Sequence, residues 1–276
     1  MGKYKRWTDL PYAGEDKPPS NPVDPLAGSW STEYIQLNAD GQLKDRNGKT
    51  FDLDIQNPNH IKWNQELKVV QETLENITDE QIQIAKYWGA GAPTKQWTPI
   101  IDRLIDTYGV TPPMAGRILK AVHSGINDAT VVTWYVKFRY NVARPNQLDH
   151  DLTTILCTPR FPTYVAGHAS VAGCAEVILS YFFPSESSRL KALAEEAALS
   201  RLYAGVHFPI DLEDGLKLGR QIGHIVVHTL KKEENNASEK IDVPFTKDLH
   251  AQLSPPPYVQ VIPFDFNQSC QSKVRH

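Results

Sequence analysis

The stretch TPPMAGRILKAVHSGINDATVVTWYVKFRY, residues 111–140, decides the fold. Met114, Ile118, Leu119, Val122, Ile126 and Ala129 recur in it at three- and four-residue steps, the period of one face of an α-helix. Thr111-Pro112 opens it with a capping residue followed by a proline in the first turn. The spacing predicts one long central helix.

The segments on either side have the same period. ASVAGCAEVILSYFF (169–183), SSRLKALAEEAALSRLY (187–203) and DLEDGLKLGRQIGHIVVHTL (211–230) fit further helices, and Ala169, Ala172 and Gly173 would let the first of them pack closely on a neighbour. Upstream, Thr78-Asp79-Glu80-Gln81 fits a capping box before IQIAKYW, and Thr98-Pro99 reads as another helix start.

Residues 1–60 are rich in Pro, Asp, Asn and Gly. Within them TEYIQLNADG and GKTFDLDI, separated by turn formers that include Asn47-Gly48, predict a small hairpin on a strap-like segment. KKEENNASEK, residues 231–240, is too polar to pack and reads as a linker to a Pro-containing tail. The fold class is therefore all-α, a mostly helical bundle with a small N-terminal hairpin or strap. Residues 1–60 form the strap, 61–230 the helical catalytic domain, and 231–276 the linker and tail.

Composition excludes several functions. The formal net charge of −3 argues against a nucleic-acid surface, which would carry a basic face. No run approaches the roughly 18 apolar residues of a membrane span, and the basic N-terminus has no apolar stretch behind it. A soluble cytoplasmic protein follows, with a homo-oligomer left open. Met1-Gly2 lacks the downstream Ser or Thr of a lipidation signal. Cys157, Cys174 and Cys270 are odd in number and far apart, so they read as buried or inert thiols and not as a disulfide framework or zinc site. No repeat or long heptad run marks a scaffold.

Three blocks carry chemistry. Lys137 and Arg144 in YVKFRYNVARP are seven residues apart, close to two helical turns, and can share a face at a helix end that Pro145 terminates. In FPTYVAGHAS, Gly167 and His168 precede a helix, whose N-terminus offers free N–H groups to an anion. In SRLYAGVHFPID, Arg201, His207 and Asp211 combine a charge clamp, an imidazole and a carboxylate. Asp211 could accept the Nδ1–H of His207 and leave Nε2 free to attack or ligate. Two arginines, a lysine and two histidines suit a tetrahedral oxyanion such as phosphate or vanadate. Read singly, each block has a plainer explanation: solvated basic residues near a helix end, a structural histidine, a capping aspartate.

Taken in order, Lys-x6-Arg-Pro, Gly-His and Ser-Arg-x5-His-x3-Asp resemble the vanadium haloperoxidase and type 2 phosphatidic acid phosphatase superfamily over roughly residues 112–223. The resemblance is closer to the haloperoxidase branch. It implies a vanadate cofactor, or phosphate or sulfate in its place, held by Lys137, Arg144, Arg201 and the Gly167 N–H. His207 would be the axial vanadium ligand and His168 a proton shuttle, while hydrogen peroxide and halide would be the substrates. Read as a phosphatase, the same pocket implies that His207 attacks a phosphate ester as nucleophile, Asp211 orients it and His168 protonates the leaving alcohol. A third reading is a catalytically silent oxyanion binder.

One departure stands out. Ala166 occupies the position beside the anion where the family has serine, and the loss of that hydrogen bond would weaken binding by roughly 1.5–3 kcal/mol. His224 and His228, four residues apart on one helix, lack an adjacent third ligand and make a poor metal site. His123 and Asp128 read as core or interface residues.

Overall fold

The computed structural model describes residues 4–38, 40–266 and 270–275. Met1 and Gly2, on which the lipidation reading rests, lie outside them. Among the described residues there are eight α-helices and one small sheet: α1 Trp63–Glu75, α2 Asp79–Trp88, α3 Thr94–Thr107, α4 Pro112–Tyr140, α5 Pro145–Leu148, α6 Gly167–Phe182, α7 Ser187–Tyr203 and α8 Pro209–Leu230. The sheet is an antiparallel meander of β1 Ile35–Leu37, β2 Leu43–Asp45 and β3 Thr50–Phe51.

The long central helix is α4, with Ile118, Val122, Ile126 and Ala129 on its buried stripe and Met114 and Leu119 at the margin. The core lies between α4, α6, α7 and α8. Close approach of α6 and α8 depends on glycine, because a Cβ at Gly219 would fall 2.0 Å from the Ser170 carbonyl oxygen. Thr78 and Gln81 form the expected capping box, with reciprocal bonds of 3.2 and 3.0 Å.

Several local expectations are corrected. Thr98-Pro99 is not a helix start: α3 begins at Thr94, and burial of Gln96 and Trp97 draws the preceding turn into the helix, leaving Pro99 beyond its first turn. The hairpin is a three-stranded meander, because Leu43–Asp45 is too short a strand to show alternation, and Gly41 and Gly48 make its turns at φ +85° and +82°. Helix α4 stops at Tyr140, where Asn141 turns left-handed at φ 55°, so Lys137 and Arg144 do not share a helical face.

The strap is tied to the bundle by a buried carboxylate: Asp128 on α4 accepts the backbone N–H groups of Glu33 at 2.9 Å and Tyr34 at 2.7 Å. The polar stretch 231–240 stays largely exposed, but Arg117 holds Glu233 within it (2.7 Å) and Asp242 just beyond it (2.8 Å). The tail then packs over the bundle. Phe245 stacks on Phe183 with ring centroids 5.2 Å apart, the Tyr258 hydroxyl donates to Glu196 at 2.8 Å, and the Lys273 N–H donates to the Ala13 carbonyl at 2.8 Å. This return overturns the reading of three inert thiols. Cys157 and Cys270 form a disulfide across 113 residues, with Cα atoms 5.7 Å apart. Spacing rules detect local pairs, and this pair exists only because the tail folds back. Cys174 remains a buried free thiol.

Candidate active site

Lys137, in the last turn of α4, is completely buried, and its Nζ donates to the carbonyls of Pro162 (2.9 Å) and Thr163 (2.8 Å). Arg144 immediately precedes α5. Its Nε donates to the Phe161 carbonyl (3.0 Å) and its Nη1 to the Val206 carbonyl (2.7 Å). The strap fixes this turn from behind, since Gln147 on α5 donates to the Trp7 carbonyl at 2.8 Å and the Ala143 N–H to the Lys5 carbonyl at 3.0 Å. Lys137 and Arg144 meet over one ring: Phe161 lies 5.1 Å from the lysine Nζ and 4.9 Å from the guanidinium carbon.

Arg201 enters from the last turn of α7. A Cβ at Gly89, at the C-terminal end of α2, would fall 2.8 Å from Arg201 Nη1 and 2.2 Å from Leu156 Cδ1, so α2 approaches the guanidinium only because residue 89 is glycine. His168, the second residue of α6, is half-buried, but its Nε2 is enclosed and its ring bonds to the Trp88 backbone. Gly167 opens α6 beside Trp134, and the first N–H groups of that helix have no acceptor within it.

His207 lies between α7 and α8. Its Nδ1 is 3.0 Å from Asp211 Oδ2, and its Nε2 is 3.0 Å from Arg144 Nη1. Arginine can only donate, so Nε2 carries the lone pair and Nδ1 the proton that Asp211 accepts. Asp211 Oδ2 also accepts the Phe208 N–H at 3.0 Å and the Thr163 hydroxyl. The N-terminus of α8 is held in turn by Glu66, which accepts the Ile210 N–H at 2.8 Å.

Electrostatically the pocket is short of negative charge. Burial depresses Lys137 well below the ordinary lysine range, Arg144 to about 10 and Arg201 to about 9, with repulsion from Arg144 adding to the effect on Lys137 and Arg201. Burial, then the neighbouring cations, hold both His168 and His207 well below their usual values, hence neutral. Asp211, the carboxylate at His207, is pushed up to about 6 by desolvation. Arg144 Nη2, Arg201 Nε and Nη1 and His168 Nε2 are buried without a hydrogen-bond partner among the described residues. Orphaned cationic donors are costly unless something accepts from them, and an oxyanion has the acceptors they lack. The donor set fits vanadate, phosphate or sulfate.

The Ala166 N–H donates to the Asp211 carbonyl (2.9 Å) and its carbonyl accepts the Ser170 N–H (3.1 Å), so both of its backbone groups are engaged within the chain. Ser200 bonds back to the Ala197 carbonyl at 2.7 Å. The sequence reading did not identify Phe161, Thr163, Glu66, Trp88 or Gly89. Phe161 and Thr163 fall inside the quoted FPTYVAGHAS block, whereas the other three are far away in sequence and gave no signal.

No three His, Cys, Asp or Glu side chains cluster to hold a metal ion among the described residues, and no described helix is long and apolar enough to cross a membrane. A surface cavity of about 430 Å³ opens elsewhere, between the meander and the end of α4, lined by Phe51, Tyr135, Arg139 and Tyr140.

The fold resembles a bacterial vanadium-dependent iodoperoxidase, with 24% identity and a TM-score of 0.62 over 81% of this chain and 60% of that one. It also resembles a bacterial vanadium-dependent chloroperoxidase, with 15% identity and a TM-score of 0.59 over 83% of this chain and 61% of that one. The chain thus spans about three fifths of these solved chains. No curated protein sequence matches it. A family model described as the PAP2 superfamily matches residues 120–234. That segment, which resembles the PAP2 superfamily, contains Lys137, Arg144, Gly167, His168, Arg201, His207 and Asp211.

Proposed function

We propose that the chain is a vanadium-dependent haloperoxidase-like enzyme, oxidising halide with hydrogen peroxide at a vanadate held in this pocket. The observation that carries the reading is the set of three orphaned guanidinium donors on Arg144 and Arg201, with the buried, unpartnered Nε2 of His168 and the lone pair of His207 Nε2 beside them. The fold likeness to an iodoperoxidase and a chloroperoxidase supports it, covering 81% and 83% of the chain.

Bound vanadate would supply Lewis-acid activation of peroxide. Arg144 Nη2 and Arg201 Nε and Nη1 would accept no proton and only donate, so they hold the anion's oxygens and balance its charge. Lys137, fixed by two carbonyls, would add positive charge once a bound anion offsets the burial and the Arg144 repulsion that depress it. His207 would ligate through Nε2 once Arg144 Nη1 turns from that nitrogen to the anion, while Asp211 keeps the Nδ1 proton. His168 Nε2 faces the pocket unpartnered. An anion would offset the cations that depress it, so this nitrogen becomes able to take and return a proton.

A phosphatase reading uses the same geometry: the Nδ1–H of His207 points at a buried carboxylate and its Nε2 is unprotonated, which is also how an imidazole nucleophile is prepared. Lys137, Arg144 and Arg201 would then stabilise phosphoryl charge. A silent oxyanion-binding member is the remaining alternative. The Cys157–Cys270 disulfide favours an oxidising compartment over the cytoplasm expected from sequence.

The test is bromination of a dimedone-type reporter with peroxide and bromide, with and without orthovanadate, using His207→Ala as control. Vanadate-dependent turnover lost in the variant supports the haloperoxidase. Turnover of a phosphate ester without vanadate supports the phosphatase, and neither activity supports the silent binder.

A further inference from the structure

Thr163 touches three members of the site at once. Its carbonyl accepts from Lys137 Nζ at 2.8 Å, its hydroxyl donates to Asp211 Oδ2, and the same oxygen is 3.1 Å from His207 Nδ1. Its N–H donates to the Val142 carbonyl at 3.0 Å, just before Arg144, so the hydroxyl projects from a backbone fixed on both sides.

The carboxylate it meets is lopsided. Asp211 Oδ2 receives the Thr163 hydroxyl, the His207 Nδ1–H and the Phe208 N–H, whereas Oδ1 is buried and receives nothing. The backbone donor comes from the turn that starts α8 and cannot choose between the two oxygens by itself. The imidazole turns about two bonds of its own. The hydroxyl is the donor whose origin lies outside both the histidine and its helix, on the loop that also carries the lysine cradle.

We propose that Thr163 is a positioning residue, whose hydroxyl locks the Asp211 carboxylate so that the His207 ring is held with Nε2 facing the anion pocket. The use made of that nitrogen rests on the function proposed above, but the lock is a property of the ligand-free chain. Thr163→Val tests it, because valine keeps the β-branched shape and the backbone bonds to Lys137 and Val142 while removing the hydroxyl.

In ligand-free protein labelled with nitrogen-15 at histidine, the His207 Nδ1–H resonance should be slowly exchanging in wild type and Thr163→Ser, and lost or fast-exchanging in Thr163→Val. Titration calorimetry with orthophosphate and orthovanadate should show affinity about tenfold or more weaker in Thr163→Val, the scale of one hydrogen bond to a charged group, and largely restored by Thr163→Ser. An unchanged Nδ1–H signal in Thr163→Val overturns the proposal, as does wild-type anion affinity in that variant. Thr163→Ala makes the same comparison if valine does not pack. Wild-type protein that turns over neither bromide nor a phosphate ester, yet loses the His207 signal in Thr163→Val, would refute the proposed function and uphold the lock.

Discussion

His207 Nδ1 stands 3.0 Å from Asp211 Oδ2, one helical turn further along the chain, while the opposite nitrogen of the same ring faces a guanidinium. The two contacts together specify a neutral imidazole in one tautomer. A carboxylate on one side and an obligate donor on the other leave the ring no second arrangement that satisfies both. Either chemistry on this site needs that tautomer, for ligation or for attack.

Asp211→Asn therefore separates geometry from charge. Asparagine fits the space, but its amide can present a donor to Nδ1 and move the ring proton to Nε2. Turnover should fall by roughly 10²–10⁴-fold, the range seen when the orienting acid of a catalytic histidine is lost, with thermal stability little changed. Steady-state kinetics with a melting curve checks this. Near wild-type turnover would mean that Arg144 alone sets the tautomer.

The site was legible in the sequence because its cations and histidines fall in three short blocks, and the blocks stay adjacent in space. The helices were legible for the same reason: α4, α6, α7 and α8 each carry their own period. What the sequence did not show depends on long-range contacts. Arg144 joins Lys137 through Phe161 and a reversal at Asn141, not along a helix. Cys157 meets Cys270 only after the tail returns. Gly89 matters only because α2 ends against Arg201. None of these has a local pattern to read.

The two pocket histidines should cost stability as pH falls when the pocket holds no anion. His168 and His207 are depressed well below the ordinary 6.5 by burial and nearby cations. Below that value the unfolded chain binds more protons than the folded one, so their contribution is lost as pH drops. Asp211, raised from 3.8 to about 6, acts in the opposite sense, adding stability as pH falls through that window. Asp128, Glu66 and Glu176, also raised by burial, act in the same sense as Asp211, so the histidine contribution is read as a difference: the melting temperature should lose less from pH 7 to 5 in His168→Gln than in wild type. Orthophosphate at a hundred times its Kd should add about 2.7 kcal/mol. Equal slopes in wild type and His168→Gln would show that burial does not hold this ring neutral.

The disulfide closes a loop of 113 residues and fastens the tail to the segment that leads into the Phe161–Thr163 carbonyls. Cys157→Ser should lower unfolding free energy by about 2–4 kcal/mol. Urea denaturation with and without reductant checks this: reductant should shift the wild-type midpoint onto that of the variant. A midpoint that reductant does not move would mean the two sulfurs are not bonded in solution.

Ala166 is the position where one hydroxyl has two possible destinations. The residue is wholly buried at the N-cap of α6, both of its backbone groups are bonded, and no side chain caps the helix there. A serine at this point could donate to an anion held by Arg201 and His168, or could accept a first-turn N–H of α6 as capping serines do. The two fates have different signatures. Donation to the anion should tighten orthovanadate and orthophosphate binding about tenfold, equivalent to about 1.4 kcal/mol, with the anion-free melting temperature unchanged. Capping should raise the melting temperature and leave affinity where it was. The orphaned donors around the pocket lack an acceptor and the anion's oxygens have room for another donor, so Ala166→Ser is expected to tighten anion binding. Calorimetry and a melting curve on the one variant decide it, and unchanged affinity would place residue 166 away from the anion.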